Sequence, residues 1–311
     1  MNRNFSLILL FVAIMTIVSC KKDKTDDPKD PTTEQNGGNQ NEAETPDPVT
    51  YTLTVVNLNK PLGMVSGSGI YEKGTIVLVT ADPINGAHVF GWSDVEGTPS
   101  ERAIELVSDS TIVVMFEIEG VEAVDLGLSV KWATCNVGAT APEEYGNYYA
   151  WGETETKTTY NGNTYFDTTD GGSTFTEYTA GGKTVLDLED DAARANWGGA
   201  WRMPTREEIN ELLTKCTWTY TTTYNDKSVK GYVVTSQIND NSIFLPAAGY
   251  QQTQSSVLMG GSIGQYWTSN LYTASESKAW ELWFNQSQTS KPIKEEIGGR
   301  YVGRPVRAVM K

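Results

Sequence analysis

Between Thr50 and Glu117 the apolar residues never recur with a helical period. "YTLTVV", "TIVLVTA", "HVFGW", "AIELV" and "TIVVMFE" are short runs rich in β-branched side chains, separated by turn-forming stretches such as "SGSG" and "INGA". β-branched residues lose rotamer freedom in a helix and pack well on a pleated surface. The spacing therefore predicts a small all-β domain over residues 50–119. His88, the single histidine, falls beside Phe90 and Trp92 in one of these runs. It reads as the flank of a core strand rather than as a metal ligand.

The start of the chain is written differently. In "MNRNFSLILLFVAIMTIVSC", Arg3 precedes an apolar run of roughly fourteen residues. That suits a signal-peptide core and falls short of the ~20 residues of a spanning helix. The run stops at Ser19-Cys20, which resembles a bacterial lipobox, where the cysteine becomes the acylated N-terminus. An ordinary signal peptide or a short anchor helix is the alternative. Each buried methylene of an acyl chain contributes about 0.8 kcal/mol of membrane affinity and two chains already anchor stably, so a lipidated, palmitate-bearing Cys20 would hold the protein without a spanning helix. Residues 1–19 are thus expected to be a lipoprotein signal peptide. Residues 20–49, nearly free of apolar side chains, read as a disordered tether. The expected location is the outer membrane, facing the cell surface or the periplasm.

The net charge of -15 points away from nucleic acid, whose affinity for proteins comes from Lys and Arg. Beyond Cys20 only Cys135 and Cys216 remain, and an exported chain either oxidises them into a disulfide or buries them as two thiols. With one histidine they cannot complete a four-ligand zinc site, and no metal or other cofactor is expected.

Residues 122–311 are long enough for a core of their own. They read as short strands, long Gly/Asn/Thr loops and two helices. In "LEDDAARANW" Asp187 is the expected N-cap and Gly198 the stop, with Asp190 and Asp191 complementing the helix dipole. In "NWGGAWRMPTREEINELL" Thr205 and Glu208 fit a capping box. Ile209, Leu212 and Leu213 form its apolar stripe, and Trp197 and Trp201 go to the core. This stretch reads as scaffold.

No catalytic constellation emerges. The second domain has no histidine to activate a serine or cysteine, and there is no "GxxxxGK" phosphate loop. The acidic pairs Glu143-Glu144, Asp190-Asp191, Glu207-Glu208 and Glu295-Glu296 read as solvated charge. Aromatic strands offer a better lead. Alternation in "YWTSNLY" and "AWELWFN" sends Trp267, Leu271, Trp280, Leu282 and Phe284 toward the core. Tyr266, Asn270, Tyr272 and Trp283 would form a polar-aromatic face suited to a glycan or protein ligand. If both faces are buried, the loop from Thr154 to Lys183 is the next place for a site.

Two resemblances extend this reading. "GSGIYEKGTIVLVTADPINGAHVFGWSD…SDSTIVVMFE" is similar to the divergent internalin-type B-repeat domain, which implies a β-grasp-like spacer or adhesion module. "AVDLGLSVKWATCNVGATAPEEYGNYYAWGET", "NWGGAWRMPT", "SIFLPAAGY", "GQYWTSNLY" and "GRPVRAVMK" resemble C-type-lectin-like domains of Bacteroidetes and Fibrobacter surface proteins. That second likeness implies an α+β fold: two helices, small twisted antiparallel sheets, long loops, and an opening strand near "DLGLSVKWA" paired with a closing strand near "GRPVRAVM". The cysteine pair of enzymatic relatives and the calcium-site tripeptides of true lectins are missing from these positions. The expected role is therefore a non-enzymatic, membrane-anchored binding or adhesion lipoprotein; a degenerate enzyme acting on an extracellular polymer is the alternative.

Cys20→Ala should release the protein from the membrane fraction on cell fractionation. Retention in the pellet at the wild-type level would assign the anchor to another feature.

Overall fold

The computed structural model describes residues 47–287 and 293–311. Cys20, the signal segment and all but the end of the tether lie outside the described residues. No described helix is long and apolar enough to cross a membrane.

The β-branched runs at the start become β1 (Thr50–Asn57), β2 (Gly63–Ser66), β3 (Gly69–Glu72), β4 (Ile76–Pro83), β5 (Ala87–Trp92), β6 (Glu101–Glu105) and β7 (Ser110–Ile118). One sheet runs β3-β1-β7-β5 and the other β2-β4-β6. β1 and β7 pair in parallel, and the remaining pairs are antiparallel. Alternation along β4 buries Val77, Val79 and Ala81 while Ile76 and Leu78 stay exposed. With Leu53, Val89, Trp92, Val114 and Phe116 they fill one core. His88 is half-buried on β5, its ring 3.9 Å from the Glu117 carboxylate and 3.7 Å from that of Glu119.

The remainder is mainly β, and this corrects the expectation of an α+β C-type-lectin-like fold. β8 (Ala123–Val124) and β9 (Lys131–Ala133) precede α1 (Ala192–Trp197) and α2 (Arg206–Lys215), which hold only sixteen residues between them. The strands β10 (Cys216–Thr221), β11 (Gly231–Ser236) and β12 (Ser242–Pro246) make one antiparallel sheet. β13 (Tyr250–Thr253) and β14 (Ser256–Leu258) form a hairpin. β15 (Ile263–Leu271), β16 (Lys278–Asn285) and β17 (Ile293–Gly299) form another sheet. The Thr/Tyr/Val-rich segments after residue 215 thus carry far more strand than the likeness implied. The expected joining of opening and closing segments is present: β18 (Val309–Met310) pairs with β9 through Val309 and Trp132.

The first helix is also shorter than expected. Leu188–Asp190 form a 3-10 turn, and Asp191, not Asp187, caps α1. Asp191 Oδ1 accepts from Ala193 and Arg194 N–H, and Oδ2 accepts from Met203 N–H. Gly198 ends the helix as expected. The capping box of Thr205 and Glu208 opens α2, and Ile209 and Leu212 are buried beneath it. Trp197 and Trp201 meet edge to face at 5.3 Å in the core.

The acidic pairs are not simply solvated. Asp191 and Glu208 are buried, and Glu208 also takes a forked bond from Arg202. Buried Glu143 pairs with Lys227, while Glu295 accepts from Arg206.

The closing segment drives three arginines inward: Arg300, Arg304 and Arg307 are buried. Arg300 pairs with buried Asp167 and donates to the Tyr178 and Glu276 carbonyls and to the Tyr165 hydroxyl. Its guanidinium lies over the rings of Trp151, Tyr165 and Phe175. Asp167 also accepts from Thr176, Glu177 and Tyr178 N–H, which gathers the loop around it. Arg304 pairs with buried Glu281 over the Trp267 ring. Arg307 donates to Asn136 Oδ1 and to the carbonyls of Ala133 and Thr134.

Burial pushes the Asp167 carboxyl up, but the donors from Thr176, Glu177 and Tyr178 outweigh it and hold the group below the ordinary carboxylate value. A depressed folded-state value means that its stabilisation is present above an unfolded value of about 4 and is lost as pH falls through the folded value. Asp167→Asn should cost about 3–5 kcal/mol, because it leaves Arg300 buried without its counter-charge. Thermal unfolding from pH 7 to pH 3 should show a lower melting temperature throughout and a shallower acid-side decline than wild type.

Candidate functional site

The anticipated polar-aromatic face does not assemble. Tyr266 is 1% exposed, in the core, and donates its hydroxyl to the Pro246 carbonyl. In the β15–β16 register it stands opposite Leu282, whereas Trp283 stands opposite Gln265, so Tyr266 and Trp283 lie on different faces. The reason is that β15 is buried on both sides from Ile263 to Ser269. Asn270 and Tyr272 do come together, around the start of α2. Asn270 Oδ1 accepts from Arg206 N–H, the Arg206 guanidinium sits 3.6 Å from the Trp280 ring centre, and Tyr272 meets Trp280 edge to face. Trp280, expected in the core, is half-buried there. Trp283 stands apart beneath Lys294.

Cys135 and Cys216 are free and buried in two different core clusters, so the disulfide alternative gives way to two thiols. Burial raises both thiol pKa values, that of Cys216 to about 11, and makes them poor nucleophiles. Among the described residues, no group of three or more His, Cys, Asp or Glu side chains is placed to hold a metal ion.

The concave surface lies elsewhere. A depression of about 410 Å³ is lined by Lys60 and Pro61, by Asn147 and Tyr149, by Thr154 to Thr156 and by Asn196. A second, of about 270 Å³, is lined by Tyr145, Tyr148, Gln251, Gln254 and Val257, and shares Asn147 and Thr156 with the first. The two form one polar groove. Tyr149 is buried in it, and burial pushes its hydroxyl up to about 12, so it stays a protonated donor. Part of the Thr154–Lys183 loop, the fallback location, supplies one wall.

Local structure fixes the walls. Asn196, near the end of α1, donates to the carbonyls of Thr154 and Ala192 and ties the loop to the helix. Across from it, Lys60 and Pro61 begin a 3-10 turn just after Asn59. Asn59 is fully buried: its side chain donates to the Arg194 carbonyl at 2.6 Å and accepts from Phe116 N–H at 3.0 Å. That one amide clamps the first module to α1. Gly198 and Gly199 complete the seam. Both have positive φ, and a Cβ would overlap the Phe116 carbonyl at Gly198 and the Glu117 side chain at Gly199. Gly199 N–H donates to that same carbonyl. The glycines of "NWGGAW" therefore admit β7 to within hydrogen-bonding distance.

Residues 51–119 match the family model of the divergent InlB B-repeat domain. A search of curated proteins gave no match to the chain, and neither did a search of solved structures. The B-repeat module thus supplies Lys60 and Pro61 to the groove. Nothing in its hydrophobic pattern signals this. A clue does lie in "EEYGNYYAW", where three tyrosines and an asparagine crowd a turn-rich stretch.

Asn59→Ala should cost about 1–3 kcal/mol for each backbone group it leaves unpaired at the seam. Chemical denaturation measures this; a loss within ~0.5 kcal/mol, as for an ordinary surface change, would locate the clamp elsewhere.

Proposed function

We propose that this chain is a lipid-anchored surface protein that binds an extracellular glycan or protein ligand and does no chemistry on it. The observation that carries the reading is the polar groove, lined by amides, hydroxyls and tyrosine rings, at the junction with a B-repeat module. Such a lining offers donors, acceptors and apolar ring area in one place. The match of residues 51–119 to an InlB B-repeat domain supports a surface or adhesion role. The apolar run ending at Cys20 and the polar stretch after it support anchoring at the outer membrane.

The engagement of the buried acids supports binding over catalysis. Asp167, Glu208 and Glu281 are each paired with an arginine, and Asp191 is held by three backbone N–H groups. These buried groups are spent on holding the fold, and Glu155 is the carboxylate among the residues lining the depressions, without a second acid there to form a catalytic pair.

The test places the full chain on arrays of extracellular glycans and matrix proteins, with a parallel screen for release of reducing ends or peptides. Retention without product release is the expected outcome. Product release that tracks the protein through purification would replace the binding role with an enzymatic one.

A further inference from the structure

We infer that the groove takes a neutral oligosaccharide, laid across both depressions so that the B-repeat module and the rest of the chain grip it together. This rests on the binding role proposed above and names its ligand class and site.

Three observations converge. First, the groove's polar groups are largely unspent. The Gln254 amide and the Thr156 hydroxyl have no protein partner among the described residues, and both side chains are exposed. The Asn147 amide makes only a long bond of 3.4 Å to the Tyr149 hydroxyl. Asn196 uses both amide hydrogens within the protein, which orients its carbonyl oxygen as a fixed acceptor. Amides and hydroxyls that donate and accept at neighbouring points match the paired hydroxyls of a sugar ring.

Second, the charge lining the groove is balanced. Lys60 is its one cation, and Glu155 lines the same depression. The chain as a whole carries a net charge of -15. Long-range repulsion therefore opposes a uronate, sulfated or phosphorylated chain, and among the described residues no guanidinium lines either depression to compensate. A neutral ligand meets neither obstacle.

Third, the shape suits a chain of repeating units. Two adjoining depressions share Asn147 and Thr156 as a common rim, and Tyr145, half-buried, presents ring area in the second. The module junction sets the geometry. Asn59 is clamped to the Arg194 carbonyl, and the next two residues on one side and Asn196 on the other become facing walls.

The experiment uses the full chain and a panel of neutral hexasaccharides built from glucose, mannose, galactose or xylose. Uronate and sulfated hexasaccharides of equal length serve as the anionic arm, and immobilised matrix proteins as a third arm. At least one neutral hexasaccharide should bind, and its trisaccharide should bind about tenfold more weakly. Asn147→Ala, Gln254→Ala and Lys60→Ala should each weaken binding roughly three- to tenfold, with melting temperatures unmoved because all three side chains are exposed. Neutral binding that ignores all three substitutions would overturn the groove as the site while the binding role stands. Capture of anionic sugars or matrix proteins without neutral sugars would overturn the ligand class and spare the binding role. Silence on every arm would overturn both.

Discussion

Arg300 and Asp167 form an ion pair with no solvent exposure on either side chain, and the arrangement of the larger part of the molecule follows from it. Removing two charges from water is costly unless the remaining donors and acceptors are met. Here they are met by the loop itself. Asp167 takes backbone N–H groups from Thr176 to Tyr178, and Arg300 reaches the Tyr178 carbonyl and the Tyr165 hydroxyl while lying against three aromatic rings. A Thr- and Gly-rich segment is thereby given a fixed shape together with its buried rings Tyr160, Tyr165, Phe175 and Tyr178. Its first residues, Thr154 to Thr156, can then serve as the wall of a groove.

The second organising contact is the seam between the modules. Its close contacts are backbone groups and one buried amide, joined by the Arg194 guanidinium on the Met115 sulfur and by Ile118, which packs against both cores. Asn59, the Phe116 backbone and the two glycines after Trp197 meet at close range, and a side chain on either glycine would push them apart. From Trp197 onward the segment packs as scaffold, and part of what it supports is the neighbouring module, while Asn196 at its start lines the groove.

Local rules read well from the sequence. The strands of residues 50–119, the Thr205–Glu208 capping box, the Gly198 stop and the meeting of Trp132 with Val309 follow from patterning, capping chemistry or motif likeness. The shortfalls have one physical source: long-range pairing. Alternation marks two faces of a strand but cannot say whether both are covered, and β15 is covered on both. Asp187 and Asp191 are equally good caps by residue type, and the choice is made by Met203 N–H arriving from twelve residues away. Arginines in "GRYVGRPVR" look like surface charge until Asp167, Glu281 and Asn136 are brought to them. The α+β likeness failed for a related reason, since shared short motifs did not specify how much of the intervening Thr/Tyr-rich chain becomes strand.

The position of those arginines also bears on when the molecule can fold. Arg300 finds Asp167 across 133 residues, and Arg307 finds Asn136 across 171. Loop-closure entropy must be met before such contacts stabilise anything, so assembly of the larger part is expected to be slow beside that of the B-repeat module. As the chain is made from its N-terminal side, Asp167 and the open end of β9 wait for partners that come late. Over that interval the loop that Asp167 gathers lacks the buried guanidinium at its centre. The larger part thus reaches its final shape only after the C-terminal segment has docked, which makes its last dozen residues the closing step of folding rather than an appendage.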